Sequence, residues 1–232
     1  MIRAAMQKTC PVRVFFGFDE LEELIKLRKS NTPFLFLDHA YWKRGYELNN
    51  YRAIYNGVHL TRILDVEKPR KGVPRINGWR HGEQIIFIPG SRNILKYHKQ
   101  QEWDHQALST LAHSKRKVIV KSKDGGSMFD ACKNAWCVVS HSSVAAVEAA
   151  LLGIPVFAPD TSPAFPIANQ DLNDIENPLM PDREQWVNSL SYAQFHLDEI
   201  KDGSAWKIID EYQHIRGTED GGGELVEAHR SD

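Results

Sequence analysis

The sequence predicts an α/β protein of two lobes, each built on a parallel sheet, with a cleft between them. Three observations predict it. Short apolar runs rich in β-branched and aromatic residues alternate with segments of helical spacing. A Pro-, Gly- and base-rich segment interrupts the 232 residues near position 75. The alternation then resumes, more regularly than before.

In the first lobe, residues 12–18 (VRVFFGF) read as a strand. Residues 19–30 read as a helix: Leu21, Leu24 and Ile25 share one face, and an acidic start and basic end suit the helix dipole. TPFLFLD, bounded by Pro33 and Asp38, reads as a second, buried strand, and the order strand, helix, strand implies a parallel unit. Further strands are expected at 51–55 and 58–64. Residues 65–82 (DVEKPRKGVPRINGWRHG) read as a boundary loop.

The second lobe begins with a strand at 83–90 (EQIIFIPG). Helix 100–114, strand 117–122, short helix 127–135, strand 136–140, helix 143–153 and strand 154–159 follow. Four strands separated by helices predict a doubly wound, Rossmann-like parallel sheet. Residues 162–183 contain many breakers and read as a long loop. Helices are expected at 183–197 and 204–213. The divisions are thus a small lobe at 1–80, a second lobe at 81–215, and a polar, Gly-rich tail at 216–232 expected to be disordered.

Hydrophobic residues make up 42% and charged residues 25%, ordinary for a globular protein. No apolar run approaches the roughly 20 residues of a membrane span, and the first residues lack the apolar core of a signal peptide. The expected location is therefore the cytoplasm, or the host cytoplasm for a viral protein, with no membrane partner. Cys10, Cys132 and Cys137 lack metal-site spacing and read as reduced thiols. No HxxxH, CxxC or paired-Asp pattern argues for a metal. The net charge of −1 hides a division: 23 Lys and Arg face 11 Asp and Glu through Lys123, and 6 face 19 from Asp124 onward. A basic first half suits a polyanionic partner or an anionic nucleotide; an uneven sharing of solvated charge explains it as well.

In an open parallel sheet, ligands bind beyond the carboxyl ends of the strands. Of the turns at those ends, Ser140-His141-Ser142-Ser143 is the strongest candidate. A strand ends there, a helix starts at once, and hydroxyls converge at a helix N-terminus, where an anion is favoured. Helix capping would need only one of these serines. Glu148, in an otherwise apolar helix, faces a ligand hydroxyl, a basic partner or solvent.

The stretch VVSHSSVAAVEAALLGIPVFAP resembles the donor-binding segment of GT-B glycosyltransferases, and the likeness covers about residues 83–170. It implies a compact GT-B-like fold that binds a nucleotide-sugar as co-substrate, with no further cofactor and no metal. It casts Ser142 and Ser143 as phosphate binders, Glu148 as the ribose binder and Ser140 as a further donor-binding residue. Gly90, Ser91 and Arg92 would form a second donor loop, and Lys121 would balance diphosphate charge. Gly153 and Pro155 would be structural. Epimerases acting on sugar nucleotides share this lobe.

For a catalytic base, Asp38 and His39 end a strand of the first lobe, and His141 lies nearer the donor turn. Between Trp42 and Arg80, aromatics interleave with Lys43, Arg44, Arg52, Arg70, Lys71, Arg75 and Arg80. Such a segment tracks a phosphate backbone and stacks on bases, or else supplies core aromatics and surface charge. The expectation is a glycosyltransferase acting on a hydroxyl acceptor. The most specific form is a bacteriophage enzyme that modifies hydroxymethylated bases in DNA. A saccharide-modifying transferase, a sugar-nucleotide epimerase or hydrolase, and a non-catalytic nucleic-acid-binding module are the alternatives.

Overall fold

The computed structural model describes residues 2–43, 46–70, 72–122 and 125–214. The tail at 216–232 and the residues Arg44 and Lys71 lie outside them. Two four-stranded sheets form the frame. In the first half lie α1 (Ile2–Thr9), β1 (Arg13–Phe16), α2 (Leu21–Lys29), β2 (Phe34–His39) and β3 (Asn50–Tyr55). The chain continues through β4 (Gln84–Ile88), α3 (Arg92–His98), α4 (Trp103–Leu111), β5 (Val118–Val120), α5 (Met128–Ala131), β6 (Ala135–Ser140), α6 (Val144–Leu151) and β7 (Val156–Phe157). It ends with α7 (Glu184–Ser191), β8 (Gln194–His196), α8 (Leu197–Asp202) and α9 (Ser204–Ile209).

The second sheet has the order β5-β4-β6-β7 and is parallel throughout. Its central strands are buried on both faces, which is why they read as continuous apolar runs. The first sheet, β1-β2-β3-β8, is mixed. β1 and β2 are parallel, while β3 runs antiparallel to both β2 and β8. The sequence led us to expect a parallel sheet here. The connection from β2 to β3 carries no crossover helix, and a short link of that kind suits antiparallel pairing.

Four local expectations differ. Helix α1 was not expected; it forms because Ile2, Ala5 and Met6 pack into the cluster under β1 to β3 and β8. Helix α3 was not expected either, and it is capped by Ser91, whose hydroxyl accepts from the Ile94 amide. Residues 58–64 are not a strand: side chains satisfy their backbone, with Tyr41 accepting from the Leu60 amide and Ser189 from the Leu64 amide. The helix expected at 183–197 stops at Ser191, and residues 194–196 become β8 in the first sheet. The segment at 194–196 therefore completes the first sheet, beside β3.

One hydrophobic cluster spans both sheets, joining Tyr41, Ile54 and Leu60 with Ile88, Val138 and Val147. At its centre is α6, in which Val144, Ala146, Val147, Ala149, Ala150 and Leu151 are all buried. A helix so enclosed needs protein partners for its terminal carbonyls. They are supplied from far along the chain. Arg183 donates to the Ala150 carbonyl, the Asn77 amide to Leu151 at 3.0 Å, and Arg80 Nε to Leu152 at 3.2 Å. Residues 77–80 of the expected boundary loop are thus docked on the end of α6.

Gly153 makes that docking possible. It has a φ of +83°, and a Cβ there would stand 2.0 Å from the Gly78 carbonyl oxygen. Gly153→Ala is expected to cost upwards of about 2 kcal/mol, from left-handed strain and backbone collision together. Urea denaturation checks this; an unchanged midpoint would mean that the 76–80 segment does not sit against the end of α6.

Candidate functional site

The carboxyl ends of β4 and β6 lie side by side, with Ile88 in register with Ser140. The turn after β6 is anchored by its neighbours. Ser143 is the N-cap of α6, its hydroxyl accepting from the Ala145 amide at 3.1 Å. Ser142 Oγ donates to Thr161 Oγ1 at 2.8 Å, tying the turn to the loop after β7. Ser140 and His141 are fully buried. One serine therefore caps, one braces a loop, and the Ser140 hydroxyl has no protein partner among the described residues.

Around this turn gather side chains to which sequence reasoning assigned nothing. His98, at the end of α3, places its ring 5.5 Å from that of His141. His59, from the segment after β3, is 7% exposed, hydrogen-bonds the Ser142 backbone and packs beside the Tyr41 ring at 6.2 Å. Trp103 meets His141 edge-on at 5.2 Å. Beside it, the Asp104 carboxylate accepts from the Gly90 amide at 3.1 Å, and burial raises its pKa against that hydrogen bond. The signal for His59 was present in Val58-His59-Leu60, where a histidine inside an apolar run marks a buried ring. His98 carried no comparable signal, because α3 itself was not foreseen.

The three imidazoles are held neutral. Burial, ahead of the Arg28 guanidinium and His141, lowers His98 to about 3. Burial lowers His141 to about 4 against the pull of Asp160. His59 is pushed well below its ordinary value by burial, then by Arg52 and the other two histidines. His59 Nδ1 and both ring nitrogens of His98 and of His141 have no protein partner among the described residues. Buried polar atoms without partners are uncommon, and they concentrate here.

The other residues singled out by sequence are distributed as follows. Gly90 is half-buried against Leu95, Ser91 caps α3, and Arg92 is exposed in its first turn. Lys121 Nζ donates to the Gly126 carbonyl at 2.8 Å. Glu148 is half-buried on α6, within electrostatic reach of Cys132. His39 ends β2, half-buried and edge-on to Phe16. Asp38 has both oxygens engaged: Oδ2 accepts from Arg52 at 2.7 Å and Oδ1 from the His39 amide at 2.7 Å. The Arg52 guanidinium and the His39 amide together hold this carboxylate in place.

The basic residues expected on a nucleic-acid surface divide. Lys43 and Arg75 are exposed. Arg52 is buried at 4% exposure, with further bonds to the His39 and Val58 carbonyls. Arg70 pairs with Glu199 and donates to the Gln194 carbonyl at 2.7 Å. Arg80 donates to the carbonyls of Cys132, Lys133 and Leu152. These three arginines face protein, because carbonyls and carboxylates of distant segments converge on them. Among the described residues there is no group of three or more His, Cys, Asp or Glu that could hold a metal ion. No helix among them is long and apolar enough to cross a membrane.

No family model matches the chain, and no curated protein matches it.

Two outcomes are expected. Asp38→Ala strips the carboxylate from a guanidinium whose side chain is 5% exposed, and should lower stability by about 3 kcal/mol in urea titrations. An intact stability would show that the pair does not hold β2 to β3. The second concerns pH. A histidine near 6.5 in the unfolded chain and near 4 or 3 in the folded one binds its proton only on unfolding. That stability is complete above about pH 6.5 and is lost as pH falls through about 4 and about 3. The double variant His98→Asn, His141→Asn should show a shallower acid slope than the parent protein. Equal slopes would place the acid sensitivity elsewhere.

Proposed function

We propose that the protein is a glycosyltransferase that binds a nucleotide-sugar at the turn 140–143. The observation that carries this reading is the cluster of buried, unpartnered polar atoms on Ser140, His98, His141 and His59. It lies beyond the carboxyl ends of parallel strands, beside the N-terminus of α6, where nucleotide phosphates are held in sheets of this kind. The GT-B-like run VVSHSSVAAVEAALLGIPVFAP supports the sugar-nucleotide form of the ligand. Imidazole N–H groups beside a leaving diphosphate are suited to donate hydrogen bonds to it as its charge develops. His39, at the end of β2, and His141 are the candidates for moving the acceptor proton, since Asp38 is held by Arg52.

For the acceptor we favour a hydroxyl on a saccharide or other small molecule over a base in DNA. The favouring observation is that Arg52, Arg70 and Arg80 are bonded to protein carbonyls and carboxylates instead of lining a surface.

Calorimetric titration with a panel of nucleoside diphosphate sugars tests the reading. At least one should bind, and Ser142→Ala with Ser143→Ala should weaken it by about 1–3 kcal/mol. A mass increase of one sugar on a hydroxylated acceptor should follow. If no nucleoside diphosphate or sugar conjugate binds the folded protein, the reading is wrong.

A further inference from the structure

We propose that His59 and His98 join His141 and Ser140 in holding an oxyanion of the phosphate class at the seam between the two sheets, and that the anion is bound together with protons taken up by the imidazoles. The proposal deepens the reading of the 140–143 turn as a phosphate-binding turn and rests on it.

The groups arrive from three separate parts of the chain: the segment after β3, the end of α3 and the turn after β6. Ser140 and His141 are fully buried and His59 is 93% buried, yet Ser140 Oγ, His59 Nδ1 and both His141 nitrogens find no protein partner among the described residues. Each such atom, stripped of water and left without a partner, weakens the fold. Their convergence from independent elements is explained by a shared polar ligand, not by chance packing. Half-buried Gly90, Asp104, Ser143 and Thr161 adjoin the cluster, linked through the Asp104–Gly90 and Ser142–Thr161 hydrogen bonds.

The surroundings select an anion. His59 faces Arg52, His98 and His141, and lies against Tyr41; His98 faces Arg28 and His141, and lies against Tyr97; His141 faces Asp160 and the Trp103 ring. Of the nearby carboxylates, Asp38 is matched by Arg52 and Asp104 by the Gly90 amide. Among the described residues, Asp160 is the one carboxylate that faces an imidazole of the cluster, against the guanidinium groups of Arg28 and Arg52. The described residues hold no group of three ligating side chains for a metal ion, so a cation is disfavoured. Imidazole N–H groups, a hydroxyl and a helix N-terminus are together donors for tetrahedral oxyanions.

Proton uptake follows from burial. The free protein keeps these rings neutral, with His141 near 4 and His98 near 3. A neighbouring anion favours the charged imidazolium, so binding raises both values and draws protons from solvent. By linkage, lower pH then tightens binding.

The test uses the full chain and inorganic sulfate, a tetrahedral dianion whose own charge is constant across the neutral range. Calorimetry in two buffers of different ionisation enthalpy should show proton uptake. Affinity should rise by about tenfold per pH unit of acidification for each linked proton. Histidine ring resonances of the unsubstituted protein should report imidazolium formation on adding sulfate. His59→Gln and His98→Gln should each weaken sulfate binding by about 5- to 100-fold and reduce the uptake. Sulfate affinity that is independent of pH and buffer in the unsubstituted protein would overturn the proposal, whatever the variants do. A nucleotide-sugar that binds without proton uptake and is indifferent to both substitutions would also overturn it, while leaving the glycosyltransferase reading in place. Proton-linked sulfate binding with no binding of any nucleotide-sugar would support this proposal and remove that reading.

Discussion

The fold depends on closing the C-terminal end of α6 with protein. The helix is built almost wholly of Val, Ala and Leu, so it is buried on nearly every side. Such a helix has no water to satisfy its last carbonyls. Arg80, Arg183 and the Asn77 amide take that place, and the cationic arginines also suit the negative end of the helix dipole. Arg183 in turn lies 3.6 Å over the Trp79 ring, so the two segments that reach the helix end hold each other. With one end closed in this way, the other end of α6 is the one left to face the seam between the sheets. The same helix thus fixes where the sheets meet and where a ligand would be held.

The second sheet was legible in the sequence because its elements are local. Each buried strand is a short apolar run, and the break at Gly153-Ile154-Pro155 marks the passage from α6 to β7. The first sheet was only partly legible. β1, α2, β2 and β3 carry local patterns, but β8 does not. Gln194, Phe195 and His196 have a single buried side chain and follow a good helix former, so only pairing with β3, far away in sequence, makes them a strand. Residues 58–64 failed in the opposite sense. Their apolar alternation is that of a strand, but their amides are claimed by Tyr41 and Ser189 before any strand can pair with them. Of the site, the turn at 140–143 was visible because a strand, hydroxyls and a helix follow one another directly. His59 carried a local sign of burial in Val58-His59-Leu60, but that it and His98 meet this turn follows only from the tertiary fold.

The imidazole cluster also explains why this seam differs from the rest of the core. Around Tyr41, Ile54, Leu60 and Val147 the contact between the sheets is apolar. At the ends of β4 and β6 the apolar lining gives way to Ser140, His141 and His59, which are equally buried but polar. A sequence under pressure for stability alone would place Leu or Val at such positions, since unbonded polar groups there weaken the fold. Retaining three histidines at one seam is the pattern expected where stability is exchanged for binding.

The charge division of the sequence has, in part, an internal explanation of the same kind. The first 123 residues hold 23 Lys and Arg against 11 acidic residues, and the remainder is correspondingly acidic. Several of those cations find their partners across the division. Arg70 pairs with Glu199 and Arg116 with Glu176; Arg80 caps the carbonyls of Cys132, Lys133 and Leu152; Arg62 donates to the Gln213 carbonyl. Read along the chain, Pro- and Gly-flanked arginines look like a surface for a polyanion. Folded, they are the means by which one half of the chain grips the other. Arginine suits this task because its planar fork can bond two or three carbonyls at once while its charge is shared among them. Internal pairing meets the division in part: Arg70–Glu199 and Arg116–Glu176 cross it, while Arg3, Arg13, Arg52 and Lys96 pair with carboxylates of their own half, and Lys43 and Arg75 stay exposed.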